Sequence, residues 1–226
     1  MSLILNIDTA VESASICLSD KKSIAASKMN PSTTDSATWL HVAIASIFKE
    51  QNISVTNLSA IAISAGPGSY TGLRVSMSAA KGLCYSLNIP LIKISTLQMM
   101  AAAAKKTSQN SHLLCPMIDA RRMEVFTALY NQELEEILPP TNMILDETSF
   151  HELLQKQPVT FFGNGSKKFV DLTQNANALF ITVEATAEHL SNLSYDKYIN
   201  QDFADYVYTE PYYGKEFYTT VNKKSN

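Results

Sequence analysis

The sequence predicts an α/β fold of two lobes, each a mixed sheet with helices, and three observations carry that expectation. An apolar strand pattern runs into an aspartate twice, residues 3–7 before Asp8 and residues 113–118 before Asp119. Each is followed by the same succession of two more strand patterns, a helix, a strand, a glycine loop and a second helix. The two loops, Gly66-Pro67-Gly68 and Gly163-Asn164-Gly165, both stand between a strand pattern and a helix pattern. Identity between the halves is low, so the repeat is one of pattern.

Taken in order, residues 3–7, 14–18 and 23–26 read as an antiparallel meander, with the turn-prone Asp20-Lys21-Lys22 between the last two. Residues 35–51 have helical spacing, with Leu40, Ile44, Ile47 and Phe48 on one side. Residues 60–64 form a strand, the glycine loop follows, and a helix runs over 70–87. A short strand at 91–94 and an alanine- and methionine-rich helix at 97–105 close the first half. The second half repeats the meander at 113–118, 124–130 and 135–138. A helix at 150–156, a strand at 159–162, the second glycine loop and a helix at 166–172 complete it. Two such lobes describe the actin-like, sugar-kinase-like architecture (the ASKHA, ribonuclease H-like fold). The boundary is expected in the polar stretch Ser108-Gln109-Asn110-Ser111, giving lobes of residues 1–108 and 109–226. The tail, residues 215–226, is polar enough to fray.

Composition narrows the function classes. With 46% hydrophobic and 17% charged residues over 226, the chain can bury a large core. A net charge of −3 gives no global basic footprint for nucleic acid, so the chain is not expected to hold RNA alone. Cys17, Cys84 and Cys115 have no metal-ligand spacing and read as small buried hydrophobes in a reducing compartment. The N-terminus is too quickly polar for a secretory signal, and no apolar run approaches the ~20 residues that span a bilayer. A soluble cytoplasmic protein is expected.

The first glycine loop has the layout of an anion site: free N–H groups and a helix dipole beside a strand end. It nevertheless lacks the residues of phosphate chemistry. Leu73 and Arg74 follow Gly72 where a Walker loop needs Lys and Ser or Thr, and Thr71 stands where a dinucleotide fingerprint needs a third glycine. Gly66, Gly68, Ser69, Thr71, Gly72 and Arg74 therefore serve either backbone geometry or a weak anion site, with Ser69 placed to shape the turn or cap the helix. Asp8-Thr9-Ala10 and Asp119-Ala120-Arg121 both lack the glycine that would let a phosphate approach the hairpin. His41, His112, His151 and His189 are isolated, with no pair one helical turn apart, so no metal site and no catalytic residue is expected. A small-molecule kinase or ATPase of the same fold is the rival reading, and a peptidase a weaker one.

Two helices lack the usual polar face. Residues 36–48 carry no formal charge, and the glycine-loop helix gathers Arg74, Ser78, Lys81 and Tyr85 in one sector with small or apolar residues around the rest. Such helices either lie between two layers of one core or turn one side to a partner, with Trp39 as an anchor.

Several stretches occur together in order: Ile7-Asp8-Thr9, the loop Gly66-Pro67-Gly68-Ser69-Tyr70-Thr71-Gly72-Leu73-Arg74, Ala80-Lys81-Gly82-Leu83, Asp119-Ala120-Arg121-Arg122-Met123-Glu124, and Phe162-Gly163-Asn164-Gly165. They resemble the TsaB (YeaZ-type) family over residues 3–216. The resemblance implies a non-catalytic subunit in the bacterial pathway that forms N6-threonylcarbamoyladenosine on tRNA. It further implies binding to a TsaD-like enzyme that acts at adenine 37, a TsaE-like ATPase in a larger complex, and a possible homodimer in isolation. ATP and metal would belong to those partners, and tRNA would be met only through the complex. It favours a partner interface at Trp39, Leu40, Ala43, Ile44 and Ile47 on the first helix, and at Leu73, Ser76, Met77, Ala80 and Leu83 on the second. Glutamate at Ile44 or Ala80 is then expected to abolish binding and leave the fold intact. Two residues depart from the family pattern. Asp35 stands where many relatives have histidine, although it could cap the first helix, and Gly214 stands where leucine is common.

Overall fold

The computed structural model describes residues 2–32, 35–105, 107–108 and 112–214. The first sheet holds β1 (Leu3–Asp8), β2 (Ser15–Asp20), β3 (Ser23–Met29), β4 (Ala60–Ser64) and β5 (Leu91–Ile94) in the order β3-β2-β1-β4-β5. The second holds β6 (Leu113–Asp119), β7 (Glu124–Tyr130), β8 (Glu136–Ile144), β9 (Val159–Phe162) and β10 (Ala178–Phe180) in the order β10-β9-β6-β7-β8. Each is an antiparallel meander whose first strand pairs in parallel with the fourth, so the repeat expected from the sequence is a repeat of topology. Central β1 and β4 are buried along their whole length, which is why they read as continuous apolar runs.

Helices α1 (Ser36–Gln51) and α2 (Tyr70–Leu87) pack on one face of the first sheet, where Leu40, Ile47, Met77 and Ala80 meet Leu5, Ile7, Ile61 and Ile63. The helix α3 (Thr96–Ala104) follows the first sheet in sequence but packs on β6 and β7, sharing a core with Leu114, Phe126 and Phe162. The second half contributes only short helices after its strands, α4 (His151–Leu154) and α5 (Lys167–Val170).

The chain then leaves the second sheet. Helix α6 (Leu190–Ile199) packs against β1, β4 and β5, on the face of the first sheet opposite α1 and α2. Its Ser194 donates to Asn6 Oδ1 at 2.6 Å, and the backbone N–H of Ala187 donates to Ser15 Oγ at 2.8 Å. Beyond α6, Ala204 N–H bonds to Leu91 O and Tyr212 N–H to Ala65 O, each at 2.8 Å. Residues 187–212 therefore attach to the first sheet, whereas the division expected from the sequence placed everything after 108 in the second lobe. The expected frayed tail at 215–226 and most of the 108–111 boundary lie outside the described residues.

Candidate functional site

The carboxyl end of β1 is tied to the glycine loop. Asp8 is fully buried; its Oδ1 accepts from Ala10 N–H at 3.0 Å and from the Ser64 hydroxyl, while Oδ2 has no partner. Burial pushes this carboxyl up to about 6, against the opposing pull of those hydrogen bonds. The Thr9 hydroxyl donates to Gly72 O at 2.6 Å, and Ser69 N–H donates to Ala10 O at 2.8 Å.

That closeness explains the glycines. A Cβ at Gly72 would stand 1.8 Å from Thr9 O. Gly66 has φ +112°, and a Cβ there would stand 2.0 Å from Tyr212 O. The loop is thus covered by the β1–β2 turn on one side and by the chain's own residue 212 on another. Gly68 lies against Ala10, and Thr71 is exposed. Ser69 accepts from Gly72 N–H at 3.2 Å and caps α2. Two N–H groups of the expected anion site, those of Ser69 and Gly72, therefore have partners inside the protein.

Arg74 is exposed on the first turns of α2. Its guanidinium lies 4.0 Å from the centre of the Tyr70 ring, and its Nε–H donates to Tyr213 Oη at 3.1 Å. Lys81 donates to Val207 O at 3.3 Å and Lys93 to Glu210 O at 3.4 Å. Segment 204–213 is thereby strapped along α2 and β5, an association between distant residues that no local pattern signals. Gly214, at its end, packs on the Phe126 ring of the second sheet.

The second strand-end aspartate has a different setting. Asp119 Oδ1 accepts from Lys168 Nζ and Arg121 N–H, both at 2.6 Å, and the Lys168 hydrogen bond holds its carboxyl below the usual range. Among the described residues, no group of three or more His, Cys, Asp and Glu could hold a metal ion. The three cysteines are buried and unpaired, their thiols pushed to about 12 by burial. His112 is buried beside Thr160 at 3.2 Å.

Most of the expected interface residues contribute to the subunit's own core. Leu40, Ala43, Ile44 and Ile47 of α1, and Leu73, Ser76, Met77 and Ala80 of α2, are all buried within the subunit. Trp39 and Leu83 are half-buried against the same core. What α1 and α2 offer to solvent is Thr38, His41, Val42 and Ala45 on one and Tyr70, Arg74, Ser78 and Tyr85 on the other. Tyr85 is 78% exposed and Tyr208, beside the Lys81-bound Val207, is 83% exposed. Asp35 does not cap α1: it precedes the helix at φ 72° with no side-chain bond to the first turn.

With this geometry in view, known proteins give the family. A family model described as TsaD, tRNA N6-adenosine threonylcarbamoyltransferase, matches residues 30–197. A protein of Buchnera aphidicola subsp. Schizaphis graminum, named tRNA threonylcarbamoyladenosine biosynthesis protein TsaB, is 30% identical over 174 residues, covering 74% of this chain and 80% of its own. The chain belongs to the TsaB family. The like-named protein of Bacillus subtilis (strain 168) is 29% identical over 191 residues, 82% of this chain and 81% of that one. A Pseudomonas aeruginosa crystal structure, described as an uncharacterized protein with similarity to peptidase YEAZ, superposes with a TM-score of 0.83 at 23% identity, covering 95% of this chain and 100% of its own. An ADPNP-bound activator of 2-hydroxyisocaproyl-CoA dehydratase from Clostridium difficile, at TM-score 0.50 and 8% identity, shares the fold alone.

Proposed function

We propose that the protein is a non-catalytic subunit in the formation of N6-threonylcarbamoyladenosine on tRNA, binding a TsaD-like enzyme and holding it active. The observation that carries this reading is the use of the glycine loop. Its glycines admit the protein's own Thr9 and Tyr212 backbone, so the architecture that positions a phosphate elsewhere serves packing here. Membership of a family whose named relatives belong to this pathway supplies the setting.

The partner meets the outer faces of α1 and α2 together with the strap, where Tyr70, Arg74, Tyr85 and Tyr208 gather the residue types enriched at interface hot spots. An interface of standard size, about 1,600 Å² in total, suffices for a stable complex. The isolated chain uses the same surface for a homodimer. ATP and metal belong to the TsaD-like and TsaE-like partners, the protein has no cofactor of its own, tRNA is met through the complex, and the site of action is the cytoplasm. The test is size-exclusion analysis with the TsaD-like protein of the same genome. Wild type co-elutes with it; a Tyr85→Glu/Tyr208→Glu variant with wild-type melting does not. Co-elution of the variant equal to wild type rejects the surface.

A further inference from the structure

The strap at 204–213 brings Tyr208 to the outer surface, yet burial anchors little of it. Ala204 and Tyr206 pack on the first core, whereas Val207, Tyr208 and Tyr212 are exposed. Two backbone bonds pin its ends, Ala204 N–H to Leu91 O and Tyr212 N–H to Ala65 O, each at 2.8 Å. Between them the segment folds on itself, Val207 N–H donating to Asp205 Oδ1 and Thr209 N–H to Asp205 O, both at 2.9 Å. Two lysines tie this middle part to the body: Lys81 of α2 donates to Val207 O at 3.3 Å and Lys93 of β5 to Glu210 O at 3.4 Å. Neither lysine belongs to an ion pair among the described residues, so both ammonium groups are committed to strap carbonyls. Long bonds at an exposed seam hold weakly, and a segment with few buried contacts opens well before the whole fold does.

We propose, on the partner reading above, that Lys81 and Lys93 are positioning residues for partner binding: they fasten the strap on α2 and β5, and the TsaD-like partner recognises the fastened form alone. Lys81 lies one turn before Tyr85 on α2, so the carbonyl it holds brings Val207 and Tyr208 to the turn that carries that exposed ring. Lys93 stands on β5, outside the faces of α1 and α2, and acts on the partner's surface through the strap. A partner that needs both Tyr85 and Tyr208 loses the second when the strap lifts. Its affinity therefore scales with the fastened fraction, and by linkage the bound partner holds the strap down.

Amide hydrogen exchange over 204–213 and affinity for the TsaD-like protein of the same genome are measured on the full-length chain. Wild type is compared with Lys93→Met, Lys81→Met/Lys93→Met and Lys81→Arg/Lys93→Arg. Methionine keeps an unbranched stem and removes the donor, whereas arginine keeps donors. Losing one exposed charge-assisted bond shifts the fastened-to-released ratio about threefold, and losing both about tenfold. Exchange over the strap accelerates by those factors, partner affinity falls by up to the same factors, and the arginine pair stays near wild type in both. Melting temperature and exchange in β1 and β4 do not change, which separates a released strap from a damaged fold. Unchanged strap exchange in the double methionine variant overturns the proposal, as does faster exchange with partner affinity equal to wild type. Wild-type affinity in Lys93→Met beside weak binding by the double variant makes Lys81 a direct contact and overturns it equally. A wild-type protein that does not bind the TsaD-like protein strikes the partner reading itself; one that binds while Lys93→Met binds just as well strikes this inference alone.

Discussion

Substituting asparagine for Asp8 removes an ionisable group buried between β1 and the glycine loop while keeping its shape. Burial carries the carboxyl from its ordinary 3.8 up to about 6. Between those values the folded protein holds a proton that the unfolded chain has released. Stability therefore falls as pH rises from 3.8 to about 6, and levels off above. At about 1.4 kcal/mol per pH unit the whole loss is about 3 kcal/mol. Asparagine escapes that loss and still accepts from Ala10 and Ser64 through Oδ1. Its amide, though, puts donors where Oδ2 has no partner, at a cost of about 1–2 kcal/mol, leaving a net gain of about 1 kcal/mol at pH 7.5. Urea unfolding followed by far-UV circular dichroism at pH 4 and 7.5 measures both proteins. The difference in stability between wild type and Asp8→Asn changes by about 2.4 kcal/mol between the two pH values, wild type losing ground as pH rises. Parallel pH profiles would refute the reasoning, since they would mean that Asp8 titrates alike folded and unfolded.

Gly72→Ala drives a methyl into Thr9 O and breaks the seam between the loop and the β1–β2 turn; the expected loss is about 3 kcal/mol or more, read as a lower urea midpoint. An unchanged midpoint would show that the loop can move away from Thr9. Ile44→Glu and Ala80→Glu, 8% and 0% exposed, each bury an uncompensated charge and cost several kcal/mol, so they lower the melting temperature before they affect any partner. A wild-type melting curve for either would return that position to the surface.

Much of the fold was legible because local chemistry and tertiary context agree. Helix α2 spans Tyr70–Leu87 as its spacing implied, starting at the Ser69 cap and ending before the left-handed Asn88. Strands β4, β5, β7 and β9 likewise fall where apolar runs meet turn residues. Strand β8 runs longer than its composition suggested, through Pro139 and Pro140; a sheet edge tolerates residues without N–H donors. Helix α6 gave no signal, because it buries Ser191 and Ser194 beside Leu190 and satisfies Ser194 through Asn6, a partner 188 residues away. The same limit applies to the site. The sequence left open whether the apolar flanks of α1 and α2 face a core or a partner. The structure turns Ile44 and Ala80 inward and leaves Tyr85 outside. The strap at 204–213 was invisible because its bonds to Arg74, Lys81 and Lys93 join residues more than a hundred positions apart.

The central claim is activation of a partner enzyme through an outer surface, and tRNA modification in a reconstituted mixture tests it most directly. The TsaD-like and TsaE-like proteins of the same genome are supplied with tRNA, ATP and a threonylcarbamoyl donor, and threonylcarbamoyladenosine is quantified by mass spectrometry while this protein is titrated in. Product formation is expected to rise to a plateau at stoichiometric protein, and Tyr85→Glu/Tyr208→Glu, folded as wild type, to leave it at the level without the protein. Full modification in the absence of this chain, or full stimulation by the double variant, would contradict the account.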